Sequence, residues 1–208
     1  MQRRFNVIGS RLVALTAAGV VMAAAATAAP DAIAAPSTST IKPTTILMQL
    51  SPGLATPLQV DGISFGPVPP ATSAAGLFAP AVALPVSGTV KLKNGAIQSS
   101  SLTMSGGMSF AGIPGGPIPT VPVTLQQITT TLNGTSGTVT GRVTDYNNFN
   151  GYPKPVSTLS MYNLTVTNNN KQIRGFLSFT SPGSTALIAG LPIPEFLAGR
   201  PFGYFRLK

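Results

Sequence analysis

Cysteine, histidine and tryptophan are absent from the 208 residues, and four Asp and Glu stand against 13 Lys and Arg. Each absence closes off a chemistry. Without Cys there is no disulfide framework and no attachment point for a lipoprotein anchor. Without Cys and His there is no zinc or haem site of the usual ligand types, and no thiol or imidazole for nucleophilic or general-base work. Charge of either sign is scarce, at 8% of the chain, where about 25% is typical. Gly (22), Pro (20) and apolar residues (43%) are abundant instead, and that apolar share supplies a core that a disordered chain lacks.

Residues 1–34 read as a cleaved export signal of bacterial type. Arg3, Arg4 and Arg11 form a basic start, residues 12–26 an Ala- and Val-rich apolar run, and Ala26-Thr27-Ala28 and Ala32-Ile33-Ala34 are small-residue cleavage sites. The run falls short of the roughly 20 apolar residues a spanning helix needs, so no membrane-spanning segment is expected after cleavage. The Arg3-Arg4 pair admits a Tat as well as a Sec route, and the protein is expected to be secreted, periplasmic or held at the cell envelope. Removing residues 1–34 leaves 174 residues with ten basic and three acidic side chains, a length suited to one core. The basic residues form no run, so a nucleic-acid reader, which shows a clustered stripe, is not expected. Dispersed positive charge suggests an anionic envelope polymer as partner, or serves solubility alone.

Residues 35–43 read as a flexible leader and 44–208 as a single all-β domain. Runs at 45–50 and 56–65 have β character, with Ser51-Pro52-Gly53 as the turn between them. Residues 67–85, rich in Pro and Ala, read as a long surface connection with room for a helical turn at 71–78. Asn94-Gly95 between alternating runs is the strongest hairpin mark, pairing Lys93 with Ala96, Leu92 with Ile97 and Lys91 with Gln98. A bulge in 99–101 is expected, because the apolar phase switches from Ile97 to Leu102 and Met104. A second hairpin at Asn133-Gly134 sets Ile128 opposite Val139. A third, through 168–171, sets Val166 opposite Ile173 and Tyr162 opposite Leu177. With a closing run at 203–207, this amounts to eight or nine antiparallel strands in a β-sandwich or a closed β-barrel, between which alternation does not choose. Gly62-Ile63-Ser64-Phe65 and Gly107-Met108-Ser109-Phe110 echo each other weakly.

Three carboxylates after processing, Asp61, Asp145 and Glu195, share no motif, so neither an acid–base pair nor a calcium loop is expected, and no metal or cofactor with them. A Ser–Lys hydrolase stays open on composition alone, but a non-catalytic role is the expectation. The candidate recognition segment is 145–154, where Tyr146, Asn147, Asn148, Phe149, Asn150, Tyr152 and Lys154 gather flat apolar rings and amide donors and acceptors in one loop. Such a loop suits a glycan or peptide; alternatively its rings plug the open end of the sheet. The chain is thus expected to be an exported structural or binding β-domain, the alternative being a barrel carrying an apolar ligand such as a lipid in its interior. If the export reading is right, N-terminal sequencing of the exported protein returns Ala29 or Ala35; a start at Met1 or Gln2 refutes it.

Overall fold

Period-two alternation in nearly every apolar run drives the chain into strands, each with one face buried and one face wet. The computed structural model describes residues 37–208 except 77, 117, 119, 121, 145–153, 170 and 192. In chain order the elements are β1 (Thr38–Ile41), β2 (Thr45–Leu50), α1 (Pro52–Val60), β3 (Ile63–Val68), β4 (Thr72–Ala74), β5 (Ala81–Lys93), β6 (Ala96–Met104) and β7 (Gly107–Gly112). There follow β8 (Val123–Asn133), β9 (Ser136–Thr144), β10 (Val156–Thr167), β11 (Gln172–Phe179), α2 (Ser181–Gly190), a 3-10 turn at Pro194–Phe196, and β12 (Pro201–Leu207).

The strands form a closed antiparallel barrel, not a sandwich. The path β5-β2-β12-β11-β10-β9-β8 is continuous, and β6 closes it by pairing with β5 from Val86↔Met104 to Lys93↔Ala96 and with β8 at Leu102↔Thr130 and Thr103↔Thr129. Eight strands enclose an interior just wide enough for side chains. In this barrel the inward residues fill it: Ile46, Met48, Leu84, Leu92, Leu102, Val139, Ile173, Leu177 and Leu207 belong to one buried cluster. Short strands extend this ring. β1 continues the line of β2 along β5, with Ile41↔Val90 beyond Thr45↔Pro85. β7 continues β6 along β8, and β3 pairs on its far side.

The β6–β7 bend sits at Gly106, with φ +82. A Cβ there would lie 2.5 Å from the Val68 carbonyl oxygen and 2.6 Å from the Ala71 nitrogen, so both conformation and space demand glycine. One end of the barrel carries the hairpin turns at 94–95, 134–135 and 168–171, together with the C-terminus, where the Lys208 carbonyl accepts from the Thr44 amide. The opposite end is stoppered by α1, α2 and an interlocking set of rings: Phe110–Phe196, Phe179–Phe196 and Phe179–Phe202 are edge-on at 5.0, 5.4 and 5.6 Å, separations at which aromatic pairs attract. The echoing segments also meet, with Phe65 opposite Phe110 across β3 and β7.

Several expectations are corrected. Residues 56–65 are not one strand: Ser51 stands at the N-cap position and Pro52 at the first turn of α1, whose Leu54 and Leu58, four apart, face the core. The supposed flexible leader contains β1, and the supposed long connection contains β4 and the start of β5, with no helical turn among the described residues of 71–78. Thr180 caps α2, accepting from the Gly183 amide at 3.0 Å, a helix that the β pattern of the sequence did not announce. Two bulges and one displaced turn reset the hairpin registers. The shift between Lys91 and Leu92 pairs Lys91 with Ser99, which places the bulge at Gln98 and not in 99–101. At the second hairpin Asn133 pairs with Ser136, so the two-residue turn is Gly134-Thr135 and Val139 faces Thr130 in place of Ile128, and a bulge at Gln127, φ +51, shifts the register again further along. Asn163, at φ +53, puts Tyr162 opposite Phe176 in place of Leu177. Val166 does face Ile173, and Leu92 faces Ile97.

Gly106→Ala should lose about 3 kcal/mol, combining left-handed strain with a backbone collision. Gly134→Ala, at φ +55 with nothing within 4 Å, should lose only about 1 kcal/mol. Urea unfolding that ranks the two equally would contradict so tight a bend between β6 and β7.

Candidate functional site

Of the segment 145–154, residues 145–153 lie outside the described residues, so Tyr146, Asn147, Asn148, Phe149, Asn150 and Tyr152 are not placed. Lys154 is described, exposed just ahead of β10. The feature that stands out among the described residues is elsewhere, on the outer wall formed by β10, β11, β12, β2 and β5.

Outward positions of a strand in water normally carry Thr, Ser or Lys; on this wall three neighbouring strands carry rings. Tyr162 lies opposite Phe176, and Phe176 opposite Tyr204, so one rung of the wall is aromatic. Tyr162 and Phe176 stack at 5.6 Å and 21°, while Phe176 and Tyr204 meet at 5.4 Å and 53°. All three stay 38–40% exposed. The rung continues through Gln49 to Ala81. The Asn163 bulge holds Tyr162 on this row by breaking the alternation of β10.

About 7 Å away, two residues along each strand and three on the bulged β10, runs a second row: Thr165, Arg174, Arg206, Leu47 and Ala83 in register. Arg174 and Arg206 are directly opposed, a like-charge pairing that costs stability in a sheet. Arg174 donates to the Gln172 amide oxygen at 3.3 Å, and the Arg206 Nε is buried with no hydrogen-bond partner. Among the described residues the only side-chain carboxylates are Asp61 and Glu195, and neither lines this surface. No described side-chain carboxylate therefore compensates the guanidinium pair.

Ala75, Gly76 and Phe78 overhang the two rows and turn the wall into a groove of about 670 Å³, bounded on its other side by Asn163. Gly76 makes the overhang possible. A Cβ there would sit 2.0 Å from the Ala79 carbonyl oxygen and 2.9 Å from Gln49 Cδ, so the strap rests on the buried Gln49. A second cleft of about 570 Å³, between α1, the start of β3 and Phe78, is lined without any charged residue.

Two hydrolase-type spacings occur in the chain, and neither has the local structure that such chemistry uses. Gly62-Ile63-Ser64-Phe65-Gly66 has the Gly-x-Ser-x-Gly form, but Ser64 lies within β3, not on a strand-to-helix elbow, and donates to the Ala111 carbonyl at 3.0 Å. Ser39-Thr40-Ile41-Lys42 has Ser-x-x-Lys spacing, but it runs along β1, where an extended chain separates residues three apart by about 10 Å. No group of three or more metal-ligating side chains is found among the described residues. No helix there is long and apolar enough to cross a membrane.

Fold and site together define the class: a closed, side-chain-filled antiparallel barrel with an aromatic and cationic groove on its outer wall. No protein-family model and no curated protein matches the chain. Among solved structures it resembles the heme binding protein HtaB from Corynebacterium glutamicum, at 11% identity and a TM-score of 0.50, over 83% of this chain and 95% of that one. It also resembles the C-terminal domain of HtaA from the same organism, at 15% identity and a TM-score of 0.48, over 81% and 98%. At these identities the likeness is one of fold.

If Arg174 and Arg206 repel each other across the sheet, Arg174→Thr should raise stability by about 0.2–1 kcal/mol at low salt, and the gain should shrink as salt screens the pair. Thermal melts at two ionic strengths measure it; a loss of stability at low salt would contradict the uncompensated pair.

Proposed function

We propose that the protein is an exported, non-catalytic binding module that holds a flat, apolar ring system with anionic substituents in the outer-wall groove. The observation that carries this reading is the aromatic rung Tyr162-Phe176-Tyr204 running beside an arginine pair without a carboxylate partner. Rings offer apolar contact to a planar ligand, and guanidinium forks match carboxylates with charge-assisted hydrogen bonds. A neutral glycan would use the rings but leave both arginines uncompensated, and the filled barrel leaves the interior lipid carrier without its cavity.

Haem belongs to the proposed ligand class, and the name of the HtaB neighbour brings it forward. Its ring would rest against Phe176 and Tyr204, and its propionates would meet Arg174 and Arg206. With no His or Cys in the chain, Tyr162 and Tyr204 are the outer-wall residues of a type that ligates haem iron. Haem would be cargo, and the same groove suits the metal-free porphyrin.

Titration with protoporphyrin IX, haemin and the porphyrin dimethyl ester tests the reading. Phe176→Ala should weaken protoporphyrin binding by roughly 3- to 10-fold, the worth of an aromatic contact. Arg174→Gln with Arg206→Gln should weaken it by roughly tenfold or more and leave the ester, which lacks the charges, unaffected. Binding that ignores all three substitutions, or a neutral oligosaccharide bound more tightly than any porphyrin, would overturn the proposal.

A further inference from the structure

The lysines, scattered in sequence, are gathered by the fold. Five of the six described lysines, Lys42, Lys91, Lys93, Lys171 and Lys208, are exposed and lie toward the hairpin end of the barrel. Lys91 and Lys93 precede the 94–95 turn on the outer face of β5, and Lys171 sits in the β10–β11 turn. Lys42 lies at the β1–β2 junction, and Lys208 is tied beside it by backbone bonds to Thr44 and Thr45. Lys91 and Lys93 lie in β5, and Lys42, Lys208 and Lys171 adjoin the ends of β2, β12 and β11, which with β5 are four consecutive strands of the wall, so the charges share one side as well as one end. Arg174 continues the field into the groove. The described side-chain carboxylates are at the other end: Asp61 closes α1 and Glu195 lies in the 3-10 turn.

We propose that this hairpin end is a docking surface for an anionic phospholipid bilayer, with the groove opening beside the bilayer surface. A group of lysines at one end, with no acidic side chain beside them among the described residues, matches a negatively charged leaflet, where each lysine adds severalfold to binding and the attraction dies within a Debye length. Attachment is peripheral, through charge on strands and turns. A bilayer is favoured over a soluble polymer because a flat apolar ligand with acidic groups partitions into membranes; that preference rests on the groove reading, while the charge complementarity stands without it.

The experiment uses the exported protein without added ligand, sedimented with phosphatidylcholine vesicles alone or with about a third phosphatidylglycerol. Wild type should pellet with the anionic vesicles, stay in solution with the neutral ones, and be released by salt. Lys91→Glu, Lys93→Glu and Lys171→Glu together should lower the association by roughly tenfold or more, and the separate pair Lys42→Gln and Lys208→Gln should lower it severalfold, with circular dichroism confirming folded variants. Phe176→Ala should pellet as wild type, which separates failure of the groove from failure of the docking face. Equal binding to neutral vesicles, no loss in either lysine variant, or binding to dextran sulfate without binding to anionic vesicles would overturn the proposal.

Discussion

Closure of the ring by β6 is the constraint on which the rest of the molecule depends. β6 pairs with β5 through a tight hairpin, but reaches β8 only after the whole of β7 and the 113–122 connection. Once it does, no edge remains in the ring and the interior becomes a packed cylinder of Ile, Leu, Met and Val. A cylinder of that width has its own side chains as contents. The surface features then lie outside the filled interior: rings and guanidinium groups on the wall, lysines at the hairpin end.

The outer-wall groove is stable because its parts are anchored from the inside. Phe176 and Tyr204 alternate with the buried Ile173, Leu177, Phe205 and Leu207 on the same strands, so core packing fixes which way the exposed rings point. The charged row has the opposite energetics. Opposed arginines weaken the sheet, and an anionic ligand of the proposed class would offset that cost, the usual trade between stability and function.

Much of the fold was legible because hairpins advertise themselves. Asn94-Gly95 and the alternation around it identified the β5–β6 pairing, and Val166 opposite Ile173 followed from the 168–171 turn. The failures have physical causes. α1 hid in a β-like apolar run because its signals, Pro52 at the first turn and Leu54 and Leu58 four apart, are few and Pro57 lies inside it. The bulges at Gln127 and Asn163 need φ > 0 at residues other than glycine, which composition does not announce. The Asn163 bulge mattered most, since without it Tyr162 is assigned to the core and the aromatic rung disappears. The groove did leave a trace: Arg174-Gly175-Phe176 and Tyr204-Phe205-Arg206 place a ring and a guanidinium on the outward phase of two successive strands. The Asn- and Tyr-rich segment 145–154 outshone that trace, because recognition is ordinarily sought in loops.

Whether ligand is held on the outside of a filled barrel can be read residue by residue, by amide chemical-shift mapping with protoporphyrin IX. Perturbations should concentrate at Tyr162, Thr165, Arg174, Phe176, Tyr204 and Arg206, with the inward residues Leu92, Leu102 and Val139 unmoved. Perturbations confined to those inward residues, or to residues 145–154, would contradict an outer-wall site.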